Sequence, residues 1–157
     1  MEDDGMTAPL QYLMRTIVSV VLAACLIGCQ DRSPASGGSK VVTGPNALAN
    51  TAWRLRSLSG TPVLDSVEAG IKFSQAARVA GKGSCNHFFG TVKIAGDTIS
   101  FARLGSTRMA CPEPVMNQES KFLKALEDAE RFGVQDTTLS IYAKGLKEPL
   151  RFTRIKS

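Results

Sequence analysis

Two short motifs constrain this chain more than any other feature. They are Gly83-Ser84-Cys85-Asn86-His87-Phe88-Phe89-Gly90 and Thr107-Arg108-Met109-Ala110-Cys111-Pro112. The first is dense in glycine and aromatic residues, and each contains one cysteine. Any fold that holds the two cysteines together must bring these segments side by side, so they read as the two halves of a structural clasp.

Whether the cysteines are free to pair depends on the N-terminus. Ile17 to Ile27 is an apolar run of 11 residues preceded by Arg15. That length fits a signal-peptide core and falls short of the roughly 20 residues needed to span a bilayer. The run ends in Leu26-Ile27-Gly28-Cys29, which resembles the lipobox of bacterial lipoproteins. The resemblance implies cleavage before Cys29, lipidation of its sulfur, and a membrane anchor carried by acyl chains. Residues 1–28 are therefore expected to be a lipoprotein signal peptide. Met1-Glu2-Asp3-Asp4 is acidic where such a peptide is normally basic, so translation is expected to start at Met6 or Met14. Gln30 to Ser39 is small and polar, and residues 29–47 are expected to form a flexible tether. In bacteria with two membranes, Asp after the lipidated cysteine commonly marks inner-membrane retention. Gln30 stands there, favouring the outer membrane, facing the periplasm.

Of four cysteines, Cys25 would leave with the signal peptide and Cys29 would be lipidated, leaving Cys85 and Cys111 in an oxidising compartment. A disulfide between them is expected, worth roughly 3.5 kcal/mol by the chain-entropy model. Three other uses of these residues compete with a staple. A zinc site lacks ligands, since His87 is the single histidine. A nucleophilic cysteine assisted by His87 needs an orienting third group. A reversible redox pair lacks the usual Cys-x-x-Cys spacing. No metal, cofactor or catalytic residue is assigned.

The formal charge is +5, and without residues 1–28 the chain keeps 18 basic and 11 acidic residues. Such an excess draws a protein toward anionic polymers or lipid head groups. Yet Arg54, Arg56, Lys72, Arg78, Lys93 and Arg151 are spread along the chain, and no basic run interleaved with aromatics supports nucleic-acid binding.

From Leu48 the pattern alternates with period two. Trp53 and Leu55 are expected inward, Arg54 and Arg56 outward, before Ser59-Gly60-Thr61-Pro62 breaks the strand. A second strand places Ile71, Phe73, Ala77 and Val79 on one face and Lys72, Ser74 and Arg78 on the other, with Ala80-Gly81-Lys82-Gly83 as a turn. The next strand carries Phe88, Val92 and Ile94 on one face and His87, Phe89, Thr91 and Lys93 on the other. Aromatics on both faces suggest partial cover on both sides. Gly96-Asp97 reads as a hairpin turn before Ile99 and Phe101. An amphipathic helix is expected over 115–131, with Phe122, Leu123, Leu126 and Ala129 as its apolar stripe. Short strands around 132–134, Leu139 to Ile141 and Leu150 to Phe152 close the chain. The sum is an α+β domain, mostly antiparallel, of six to eight strands and one helix over residues 48–157.

The combination Trp53-x-Leu55, Gly83-x-Cys85-Asn86-x-Phe88-Phe89-Gly90, Ile99-x-Phe101, Thr107-x-Met109-Ala110-Cys111-Pro112, Glu119, Phe122-Leu123 and Leu126 resembles the META domain, the HslJ-like family. Val92 departs from it, since relatives often carry an aromatic there. The resemblance implies a curved antiparallel sheet tending to a barrel with one helix packed on it. It also implies envelope lipoproteins linked to stress, with no catalytic residues to carry over. The expected function is that of a non-enzymatic lipoprotein anchored through Cys29, with an envelope protein or a hydrophobic ligand as partner. The alternatives are a carrier of a small hydrophobic ligand, since small barrels can enclose one, and a thiol redox protein.

Overall fold

The computed structural model describes residues 39–74 and 77–156, so the expected signal peptide, Cys29 and the first part of the tether lie outside the described residues. Strand β1 (Thr51–Leu58) buries Trp53 and Leu55 and exposes Arg54 and Arg56, as its alternation requires. Ser59 and Gly60, both with positive φ, turn the chain into the two-residue β2 (Thr61–Pro62). Strands β3 (Gly70–Phe73), β4 (Arg78–Lys82), β5 (His87–Ala95) and β6 (Thr98–Ser106) follow as an antiparallel meander. Helix α2 (Glu113–Glu127) leads to β7 (Ala129–Gln135), β8 (Thr138–Ala143) and β9 (Leu150–Ile155). The short α1 (Pro45–Leu48) precedes β1 and buries Leu48.

β1 pairs with β3 on one side and β9 on the other, so β1 and β3 to β9 form a closed eight-stranded antiparallel barrel, with β2 added beside β1. The expected curved antiparallel sheet tending to a barrel is a fully closed one with a helix packed on it, and the α+β class is corrected to a mostly β barrel with a helix. Closure removes the unpaired edges that an open sheet would expose.

Trp53, Phe73, Phe88, Phe122, Phe152, Leu55, Ile99, Leu139, Ile141 and Leu150 fill the interior. Helix α2 contributes from outside the ladder: it packs along β6 and places the Phe122 ring 5.9 Å from Phe88 and 6.0 Å from Phe152. Burying such rings stabilises by about 1.5–3 kcal/mol each relative to exposure.

Several expected boundaries move. The single strand expected through Val79 is two strands, because the chain reverses between Phe73 and Arg78, closed by the Ser74 N–H donating to the Arg78 carbonyl at 3.0 Å. Ala80 to Lys82 belong to β4, and the turn comes later, where the Gly83 N–H donates to the Asn86 carbonyl at 2.7 Å. Gly81 is a packing position: a Cβ there would lie 2.1 Å from the Gly70 carbonyl oxygen and 2.7 Å from the Phe88 ring. Helix α2 ends at Glu127, and Ala129 already belongs to β7. The structured region also begins before Leu48, within the expected tether. Val42 bridges Val134 through hydrogen bonds of 2.7 and 2.9 Å, and Gly133, without a side chain, leaves room for Val41. Phe89, expected to be partly covered, is 61% exposed among the described residues.

Candidate functional site

The two motifs meet where β4 turns into β5 and β6 leads toward α2. Cys85 and Cys111 form a disulfide there, with their Cα atoms 6.0 Å apart. The bridge joins the two ends of the β5–β6 hairpin, just beyond the last ladder pair, Phe88 with Ser106. Cys85 is 2% exposed and Cys111 half-buried.

At the centre lies a residue that the family resemblance named without giving it a role. Glu119, on α2, is 5% exposed. Its Oε2 accepts the backbone N–H of Cys85 at 2.9 Å and of Asn86 at 2.6 Å, and its Oε1 accepts the Asn86 Nδ2 at 2.8 Å. A buried carboxylate is costly unless its lone pairs are met, and three donors meet these. Gly83 makes the approach possible, because a Cβ there would lie 2.7 Å from Glu119 Oε2.

Asn86 carries the network to the second motif. Its Oδ1 accepts the Thr107 hydroxyl at 2.9 Å and the Met109 N–H at 2.7 Å. Gln118, one residue before Glu119, donates through Nε2 to Ser84 Oγ and accepts the Leu64 N–H through Oε1, both at 2.8 Å. Among the described residues, no buried side-chain nitrogen or oxygen lacks a partner. The clasp thus consists of a disulfide beside a carboxylate–amide network, and the polar atoms of that network are engaged with one another.

His87 lies two residues from Cys85 but points outward from β5, opposite Lys82. Cys85 is joined to Cys111, so the structure does not pair a free thiol with this imidazole. Among the described residues, no three His, Cys, Asp or Glu side chains gather as a metal-ligand set.

A surface groove of about 590 Å³ lies between α2, the β1–β2 turn and the β8–β9 connection. Leu58, Pro62, Leu64 and Leu146 supply apolar walls, Lys121 and Lys144 add positive charge, and Lys124 and Asp128, which also line it, are paired with each other.

A family model described as the META domain matches residues 46–156. Heat shock protein HslJ of Escherichia coli (strain K12) is 28% identical over 100 residues, a match covering 63% of this chain and 66% of that protein, just under two thirds of its length. A protein from Burkholderia xenovorans solved by NMR superposes with a TM-score of 0.61 at 26% identity, over 79% of this chain and 99% of its own. A DUF4847 family protein from Bacteroides vulgatus ATCC 8482, solved by crystallography, shares the fold with a TM-score of 0.54 at 15% identity, over 71% of this chain and 97% of its own. The match takes in 99% of the Burkholderia protein, so a chain corresponding to about four fifths of this one folds by itself.

Proposed function

The chain belongs to the META domain family, and on that premise we propose that it serves as a non-enzymatic lipoprotein of the cell envelope, binding or maintaining an envelope component under stress. The observation that carries the non-enzymatic reading is the clasp. Its polar groups are committed to Glu119, Asn86 and each other, which is the arrangement of a structural staple. The printed name of the Escherichia coli relative, a heat shock protein, supports the link to stress. The Leu26-Ile27-Gly28-Cys29 motif supports anchoring through Cys29 on the outer membrane, facing the periplasm.

Metabolic labelling with a fatty-acid analogue tests the anchor: label is expected on the wild-type protein and absent from Cys29→Ser. Cross-linking in the intact envelope, with and without heat stress, then identifies the partner. Label that ignores Cys29 or a cytoplasmic protein would defeat the reading.

A second reading, carriage of a small hydrophobic ligand, is favoured by the groove beside α2, whose apolar walls and lysines suit an acidic amphiphile. Native mass spectrometry is expected to show a co-purifying lipid lost in Leu64→Asp. A wild-type protein that carries none speaks against it.

A further inference from the structure

The basic surplus, spread along the sequence, is gathered by the fold. Strands β3 to β6, residues 70–106, hold five basic side chains, Lys72, Arg78, Lys82, Lys93 and Arg103, and a single acid, Asp97. Asp97 lies in the β5–β6 turn, 3.6 Å from Arg131, and is paired with it. None of those five cations is in an ion pair among the described residues, whereas Arg54, Lys124, Arg131 and Arg151 all are. One stretch of the outer wall is therefore cationic with no free acid of its own, and Glu68, which borders Lys72 and Lys82 from outside it, is paired with Arg54.

Phe89 stands within that stretch. Its ladder neighbours are Ala80 on β4 and Gly105 on β6, both too small to shield it. The ring leans over Gly105, where an added Cβ would come within 3.1 Å of its Cζ. Lys72, Arg78 and Arg103 line the same groove as Phe89, a space of about 520 Å³. An exposed phenyl ring wants an apolar medium, and three unpaired cations want anions.

We infer that this face of the barrel docks on an anionic phospholipid bilayer, with Phe89 entering the boundary between head groups and acyl chains and Lys72, Arg78 and Arg103 meeting phosphates. A bilayer offers negative charge with hydrocarbon directly beneath it, in the order the face requires. An acidic polymer offers only the charge. Readers of single-stranded nucleic acid stack successive bases on several aromatics, and among the described residues this groove presents one. The inference does not depend on lipidation of Cys29, because it concerns the wall of the barrel alone.

Sedimentation of residues 38–157 with vesicles tests it. Binding is expected to vesicles of phosphatidylcholine mixed with phosphatidylglycerol, and not to pure phosphatidylcholine, and it is expected to weaken as salt rises. Each cation near such a surface contributes roughly fivefold in affinity. Lys72→Gln/Arg78→Gln/Arg103→Gln should therefore lose about a hundredfold, and Phe89→Ala about tenfold, while Phe89→Leu retains binding. Lys147→Gln/Arg151→Gln, away from β3–β6, should change little. Circular dichroism of each variant separates lost docking from lost folding. Equal binding to both vesicle types, binding to neither, or an equal loss in the Lys147/Arg151 pair overturns the inference. Binding to heparin or single-stranded DNA that ignores Phe89, without binding to anionic vesicles, also overturns it in favour of a soluble polyanion. Failure of Cys29 labelling leaves it standing.

Discussion

At the scale of single residues, the contact between Gly83 and Glu119 is the tightest point of the clasp. Gly83→Ala inserts a methyl group 2.7 Å from Glu119 Oε2 and 2.8 Å from its Cγ, so the carboxylate must retreat from the N–H groups of Cys85 and Asn86. A loss of about 1–3 kcal/mol is expected in urea unfolding. Combining it with Glu119→Ala separates the clash from a backbone effect: once the carboxylate is gone, Gly83→Ala should cost little more. Full additivity would show that the glycine serves another purpose. Asn86→Asp should be worse than a neutral change, because it sets a second carboxylate where Nδ2 now donates to Glu119 Oε1 at 2.8 Å. It also leaves one buried oxygen facing another. A loss of at least about 2–3 kcal/mol follows from unmet buried charge, and Asn86→Asp more stable than Asn86→Ala would contradict this. Glu119 was within reach of the sequence. It lies three residues before Phe122 and seven before Leu126, on the stripe that the helix buries, where an acid has to find donors. What the sequence could not supply was which donors, since Cys85 and Asn86 are 34 and 33 residues away and meet Glu119 only once the β5–β6 hairpin has formed and α2 packs along β6.

At the scale of elements, the disulfide and the carboxylate network secure the same junction by different means. The network ties α2 to the β4–β5 turn, while the bridge closes a loop of 26 residues around β5 and β6. Cys85→Ser/Cys111→Ser is therefore expected to lower stability by roughly 3.5 kcal/mol while the barrel still folds at 25 °C. The check is urea unfolding alongside intact-mass analysis of the unreduced wild-type protein. Two alkylatable thiols in the latter would mean that the bridge does not form. Legibility at this scale followed turn chemistry. Ser59-Gly60 and Gly96-Asp97 each hold a glycine with positive φ and were readable. The β3–β4 reversal was not, because Ser74 to Ala77 contains no glycine or proline and Ala77 itself takes φ 54°. Gly81 misled in the opposite sense, because its missing side chain makes room for the Gly70 carbonyl and the Phe88 ring.

At the scale of the whole molecule, closure was the feature least accessible to periodicity. Alternation says which side of a strand faces inward, but whether β1 meets β9 depends on twist summed over every strand between them. The closed barrel is also uneven. β7 and β8 share six ladder pairs and β1 and β9 five, whereas β6 and β7 share one, Thr98 with Arg131, supplemented by the Phe132 N–H donating to the Asp97 carbonyl at 2.8 Å. The chain leaves the barrel between those two strands to form α2, which packs along β6. Opening should begin at this seam. In native-state hydrogen exchange, amides of β6 that point away from β5 are expected to exchange by local opening, at lower free energy than those of β1 and β9. Phe122→Ala removes the ring that links α2 to Phe88 and Phe152. It should cost about 3–5 kcal/mol overall and accelerate exchange at the seam more than elsewhere. Uniform protection around the barrel, or an equal effect of Phe122→Ala on β1 and β6, would mean that helix and barrel open as one unit and that the β6–β7 seam is no weaker than the rest.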